Sequence, residues 1–187
     1  RFLAFNAGRW SEALLERSGI LLIKAVNKGN REVVEFLINA GAFIDYQPVA
    51  EFTEHLDVEN QLPGNSALME ASYRGDLGIV KVLIDSGANI HLQNLNGDHA
   101  LILALRWEQP DIAHLLIRAG ADINLQDDDG SSPLILEAEA GRIHNCQILI
   151  QAGAQVNLQN LHKSSSLIEA TIGGHTEIAR MLIEAGA

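Results

Sequence analysis

The chain has 187 residues, of which 47% are hydrophobic and only 5% aromatic, and a formal net charge of −11. That length allows one compact domain, two at most, and the core has to be built from aliphatic and small side chains. An acidic chain repels phosphate, which sets nucleic acid and anionic membrane aside as partners.

The single cysteine, Cys146, excludes an intrachain disulfide. The best apolar runs, 19–23 and 100–105, fall far short of the ~18 residues that a membrane helix needs. No charged n-region, apolar stretch and cleavage site open the chain. It begins at Arg1, which reads as a trimmed or processed piece from which a leader has had the chance to be removed. The compartment is left open: cytoplasmic by default, secreted or periplasmic if a leader was lost.

A fixed period organises the rest. Gly-Ala recurs at Gly87, Gly120, Gly153 and Gly186, in steps of 33 residues. Leu68, Leu101, Leu134 and Leu167 keep the same step, as do Leu83-Ile84, Leu116-Ile117, Leu149-Ile150 and Leu182-Ile183.

In chain order, residues 1–19 are expected to hold a partial or capping unit, since Leu3-Ala4-Phe5 and Gly8 precede Phe36-Leu37-Ile38 and Gly41 by one period. A helix pair near 20–41 follows, marked by Leu22, Leu37-Ile38 and Gly41. From Gly41 to Gly87 is 46 residues, 13 more than the period, and the surplus falls in an inserted loop, 46–64. That loop holds Pro48 and Pro63 with Glu51, Glu54, Asp57 and Glu59; one helical turn in it would set Phe52 beside Leu56 as an acidic projection with an apolar tip. Helix pairs are then expected near 66–87, 99–120, 132–153 and 165–186. Each first helix starts after a polar capping position and most end before a glycine: Gly29, Gly75, Gly141 or Gly174. Each second helix carries apolar residues at i, i+3 and i+4, such as Ile112, Leu115 and Leu116, and stops at the Gly-Ala. A short extended turn, 121–127 in the third unit, leads onward. One such unit cannot bury its apolar face alone, so neighbours must supply the core.

The stretch from Gly97-Asp98-His99-Ala100-Leu101 to Gly120-Ala121-Asp122-Ile123-Asn124 resembles the ankyrin repeat, whose core reads roughly G-x-T-P-L-H-x-A-A-x-x-G-H-x-x-I-V-x-L-L-L-x-x-G-A-D-x-N. The resemblance covers most of the chain. It implies an all-α repeat solenoid over 1–187, an ankyrin-type stack of helix pairs with short β-hairpin fingers. The chain departs from the family pattern in two ways. An aliphatic residue or Met69 replaces the family's histidine in Ser66-Ala67-Leu68-Met69, His99-Ala100-Leu101-Ile102, Ser132-Pro133-Leu134-Ile135 and Ser165-Ser166-Leu167-Ile168, which implies a less regular stack. Glu137 and Asn145 stand where the family buries an alanine and an isoleucine or valine. Either they satisfy each other or a nearby backbone group, or a local shift exposes Glu137.

No spacing of the seven histidines makes a metal motif, and His144 with Cys146 supplies only two ligands. Asp127-Asp128-Asp129-Gly130 is out of register with a calcium loop. No phosphate-binding glycine loop or nucleophile elbow occurs. The expectation is a non-enzymatic protein-binding module with no cofactor, metal or small-molecule substrate, and monomeric on its own.

The resemblance implies a concave groove lined by the variable positions of the first helices. These are Lys24, Asn27 and Lys28; Glu70, Tyr73 and Arg74; Leu103, Arg106 and Trp107; Leu136, Glu139 and Ala140; and Glu169, Ile172 and Gly173. Tyr73, Arg74, Arg106 and Trp107 fall together on neighbouring helices and belong to the residue types that anchor interfaces. The competing reading is that Trp107 fills a gap where Glu108 replaces the usual glycine. Leu103 joins this set, Leu95 and Leu161 stand at finger tips, and Phe52 tips the insertion. The role implied is adaptor, or inhibitor occluding a partner protein, as in bacterial antidotes and effectors. The alternative is a targeting or regulatory domain cut from a larger enzyme or channel.

Overall fold

The computed structural model describes residues 12–48 and 64–187. Among these are ten helices and no strand: α1 (Glu12–Asn27), α2 (Arg31–Asn39), α3 (Ala67–Arg74), α4 (Leu77–Asp85), α5 (Ala100–Arg106), α6 (Pro110–Arg118), α7 (Pro133–Glu139), α8 (Ile143–Gln151), α9 (Ser166–Ile172) and α10 (Thr176–Glu184). The odd-numbered helices form one layer and the even-numbered ones a second. The fold is an all-α repeat solenoid. α1 starts at Glu12, so the first helix crosses the boundary at residue 20 that the glycine ladder suggests. Residues 1–11 of the partial or capping unit expected over 1–19, and Phe52 with most of the insertion, lie outside the described residues. No helix among the described residues is long and apolar enough to cross a membrane.

Local chemistry sets the helix ends. Ser66, Ser132 and Ser165 each accept a hydrogen bond from the backbone N–H three residues on, as a capping serine does. Asn30 and Asp76 do the same for α2 and α4. Pro110 and Pro133 start their helices, where a missing N–H costs nothing. Gly75 closes α3 with φ 79°, in the left-handed region that an L side chain resists. Glu108 occupies the matching place after α5 with φ 55° and carries that strain.

The leucine ladders form the interior. Leu22, Leu68, Leu101 and Leu134 are buried, as are Leu83, Leu116, Leu149 and Leu182. Each contributes on the order of 1.5–3 kcal/mol of apolar burial. Along the stack α1 packs on α3, α3 on α5 and α7 on α9, while α2 packs on α4, α4 on α6 and α8 on α10. Contact between α5 and α7 is far slighter, and α6 and α8 hardly meet.

The connecting fingers are turns rather than β-hairpins. Within the described residues the pairing is a single isolated antiparallel bridge, Gln159 to Ser165. Backbone bonds close the turns, as from the Asn94 N–H to the Asp98 carbonyl and from the Asp127 N–H to the Ser131 carbonyl, and side chains add to them. The Gln47 amide donates to the Gly64 and Gln93 carbonyls at 2.8 and 2.7 Å. Gln93 donates to Gly97 and Gln126, both at 2.9 Å, and Gln126 to Gly130 and Gln159. Each glutamine thus closes its own turn and ties it to the next.

Candidate partner-binding face

The C-terminal ends of α3 and α5 bring two aromatic rings together. Tyr73 and Trp107 meet edge to face with centroids 4.8 Å apart, the geometry that ring quadrupoles favour. Tyr73 is half-buried, Trp107 is 48% exposed and Arg74 is exposed beside them. Trp107 leans on Tyr73 at the surface. Gln109 fixes the base of the pair. Its amide donates to the Trp107 carbonyl at 3.1 Å and lies over Gly75, where a Cβ would meet Oε1 at 2.6 Å.

Arg106 is drawn the other way. Its two terminal nitrogens donate to the Asp98 carboxylate at 2.7 and 2.8 Å, and Asp98 is buried at the foot of the preceding finger. This bidentate fork is the strong geometry for a guanidinium. Arg106 is half-exposed but committed to holding the finger.

Two groove-lining expectations fail. Leu103 is 0% exposed and belongs to the core. Glu70, one repeat earlier at the same position, is also buried and accepts from the Asn65 amide at 3.0 Å. The same position is only partly covered at Leu136 and Glu169. Leu95 and Leu161 are exposed at finger tips, 59% and 72%, each above a glycine of the preceding finger, Gly64 and Gly130. The Leu161 N–H donates to the Asp129 carbonyl at 2.9 Å. Ile172, at the end of α9, is 76% exposed; its place at the Tyr73 position of the last repeat is the signal in the sequence.

Of the two readings of Glu137 and Asn145, mutual satisfaction holds. Glu137 is 1% exposed and accepts from Asn145 Nδ2 at 2.8 Å. The same amide reaches the Leu105 carbonyl at 2.8 Å. Arg142 adds contacts at 3.2 and 3.3 Å that sequence reasoning missed.

Burial dominates the titration of the interior groups. It pushes the Glu70 carboxyl up to about 7, against the pull of the Asn65 hydrogen bond and the Arg74 charge. It holds the His99 imidazole down at about 4, opposed by Asp98 and the Leu125 carbonyl. Burial, with the Glu137 charge second, pushes the Cys146 thiol up to about 12, so it presents no thiolate at neutral pH. Asp127 spends its carboxylate on the Asp129 and Ser131 N–H groups of its own turn.

Comparison with known proteins agrees with the helix stack. A segment of 73 residues, 39% of this chain, is 42% identical to the human "Ankyrin repeat and KH domain-containing protein 1", of which it spans 2%. The family model described as "Ankyrin repeats (3 copies)" matches residues 22–127 and 101–187. On that match, spanning all five helix pairs, the chain belongs to the ankyrin-repeat family, whose members generally serve as protein–protein interaction modules and are typically not enzymes.

Proposed function

We propose that the chain is a non-enzymatic protein-binding module whose contact surface is centred on Tyr73, Arg74 and Trp107, with Leu95 and Leu161 as outlying finger-tip contacts. The observation that supports this is the half-exposed Trp107 held edge-on by Tyr73. A large ring kept in one orientation at the surface loses little entropy when a partner covers it, which is how aromatic anchors come to dominate binding energy. Arg106 belongs to the site as a strut, through Asp98. The bound protein acts as a client of an adaptor, or is inhibited by occlusion.

The test is recovery of bound proteins from the native source by wild type and by Trp107→Ala/Arg74→Ala. The substituted side chains are exposed, so the fold should persist, which circular dichroism checks. Proteins retained by wild type should be lost by the double variant; equal recovery would overturn the placement. A second reading, a targeting or regulatory domain within a larger protein, is favoured by the relative in which the matched segment is 2% of the length. The full reading frame decides between them.

A further inference from the structure

Several regular features of the repeat-to-repeat contact weaken at one junction, between the third and fourth helix pairs. The helices approach less closely there, since α5 and α7 touch slightly and α6 and α8 hardly meet. A cause is visible. Ala71, Ala104 and Ala170 are buried alanines at one position of their repeats, and Glu137 takes that position in the fourth. Asn145 likewise replaces the buried Ile79, Ile112 and Ile178. A carboxylate and an amide in seats shaped for a methyl group and an aliphatic chain hold the helices apart.

The fingers lose two of their three regular ties at the same place, the glutamine tie being kept. Asn94 Nδ2 donates to Asn65 Oδ1 at 2.8 Å across one junction, and Asn160 Nδ2 to Ser131 Oγ at 3.3 Å across another. Between them the matching pair is Asp127 and Asp98, two carboxylates, which cannot bond each other when ionised. The Asn89 N–H reaches Asp45 and the Gln155 N–H reaches Asn124, both at 2.8 Å. The acceptor position of the intervening junction holds His91. His175 lies over Gly141, its Nε2 3.1 Å from the Glu139 carbonyl, and Gln109 lies over Gly75. Arg142 has the same place in the fourth repeat but turns inward to Glu137, and Glu108 stands where the glycine would be.

We infer that this junction is a hinge, and that α1–α6 and α7–α10 are two blocks that rotate relative to one another. The bonds that do cross it are Asn145 to the Leu105 carbonyl, Gln93 to the Gln126 carbonyl and His99 toward the Leu125 carbonyl. One joins α8 to the end of α5 and two join the fingers; hydrogen bonds tolerate a change of angle, so they act as pivots. The closer helix contact of the other junctions would resist the rotation, because close-packed side chains have few alternative arrangements. The hinge allows the inner face to change its curvature between Trp107 and Glu139.

Lys81, His114, Gln147 and Arg180 are exposed, one on each of α4, α6, α8 and α10, at the same repeat position. Cysteine pairs at 81/114, 114/147 and 147/180 would carry spin labels for double electron–electron resonance. Cys146 is buried and its thiol stays protonated, so it does not label. The 114/147 distance distribution should be about twofold wider than those of the two control pairs, as hinge motion requires. Glu137→Ala/Asn145→Ile, which restores the residue types of the other repeats, should narrow it to the control width. A wild-type 114/147 distribution as narrow as the controls overturns the hinge, whether or not the variant folds. A broad distribution that the folded variant leaves unchanged overturns the role given to Glu137 and Asn145.

Discussion

Glu70 and His99 are single buried groups with opposite effects on stability. The folded-state pKa of Glu70, about 7, lies above its ordinary 4.5, so the folded protein holds the extra proton between those values. Stability therefore falls as pH rises through that window and stays low above it. Glu70→Gln keeps an oxygen for the Asn65 amide and removes the charge. It should raise the urea unfolding free energy by roughly 2–3 kcal/mol at pH 8, with the gain vanishing near pH 4. His99 runs the other way: its folded pKa, about 4, lies below the ordinary 6.5, so the unfolded chain takes the proton first. Stability is lost as pH falls from about 6.5 to about 4, and His99→Gln should flatten that limb. Neither shift was legible in the sequence, because burial of a helix position depends on where the finger folds back. The unusual pair Glu137 and Asn145 was legible as an anomaly, since both break a period-33 pattern, and their mutual bond was one of two readings.

Among the elements, the helices follow from capping serines, glycine stops and apolar spacing. The exception is the end of α5, where Glu108 is left-handed. Glu108→Gly should relieve that strain and raise the melting free energy by about 1 kcal/mol or less, after the greater unfolded-state freedom of glycine is subtracted. The fingers were read as β-hairpins; among the described residues they form no strand, and glutamine side chains add to the backbone bonds that close them. The signal was present, as Gln93, Gln126 and Gln159 recur with the period and Gln47 precedes them by the longer step. Gln126→Ala removes the ties to the Gly130 and Gln159 carbonyls and should cost about 1 kcal/mol, seen as a lower urea midpoint. Arg106→Ala leaves the buried Asp98 carboxylate without its fork. The expected loss is about 2 kcal/mol, less than for a wholly buried pair because Arg106 is partly exposed. That loss would report on the finger and not on partner contact.

For the whole molecule, the junction between the third and fourth repeats governs how the stack responds to mutation. Asn145→Ala leaves the Leu105 carbonyl with the Glu108 N–H alone and the buried Glu137 carboxylate with Arg142 alone, and should destabilise by about 1–2 kcal/mol. Replacing both members with the alanine and isoleucine of the other repeats should be neutral or stabilising by up to about 4 kcal/mol, because the apolar seat is restored. Chemical denaturation of the single and double variants separates these outcomes.

The sequence by itself determined the repeat length, the number of helix pairs, the leucine interior and the family, because each is set by periodic local chemistry repeated every 33 residues. It also brought Tyr73 and Trp107 under one heading, since equal register on adjacent helices makes side chains neighbours. Tertiary structure decided which variable positions reach the surface. It buried Leu103 in the core and Glu70 beside Asn65, and turned Arg106 onto Asp98. It also loosened the stack at Glu137. Those outcomes depend on the volume left between particular neighbouring repeats, and a period states only that neighbours exist, not how closely they fit.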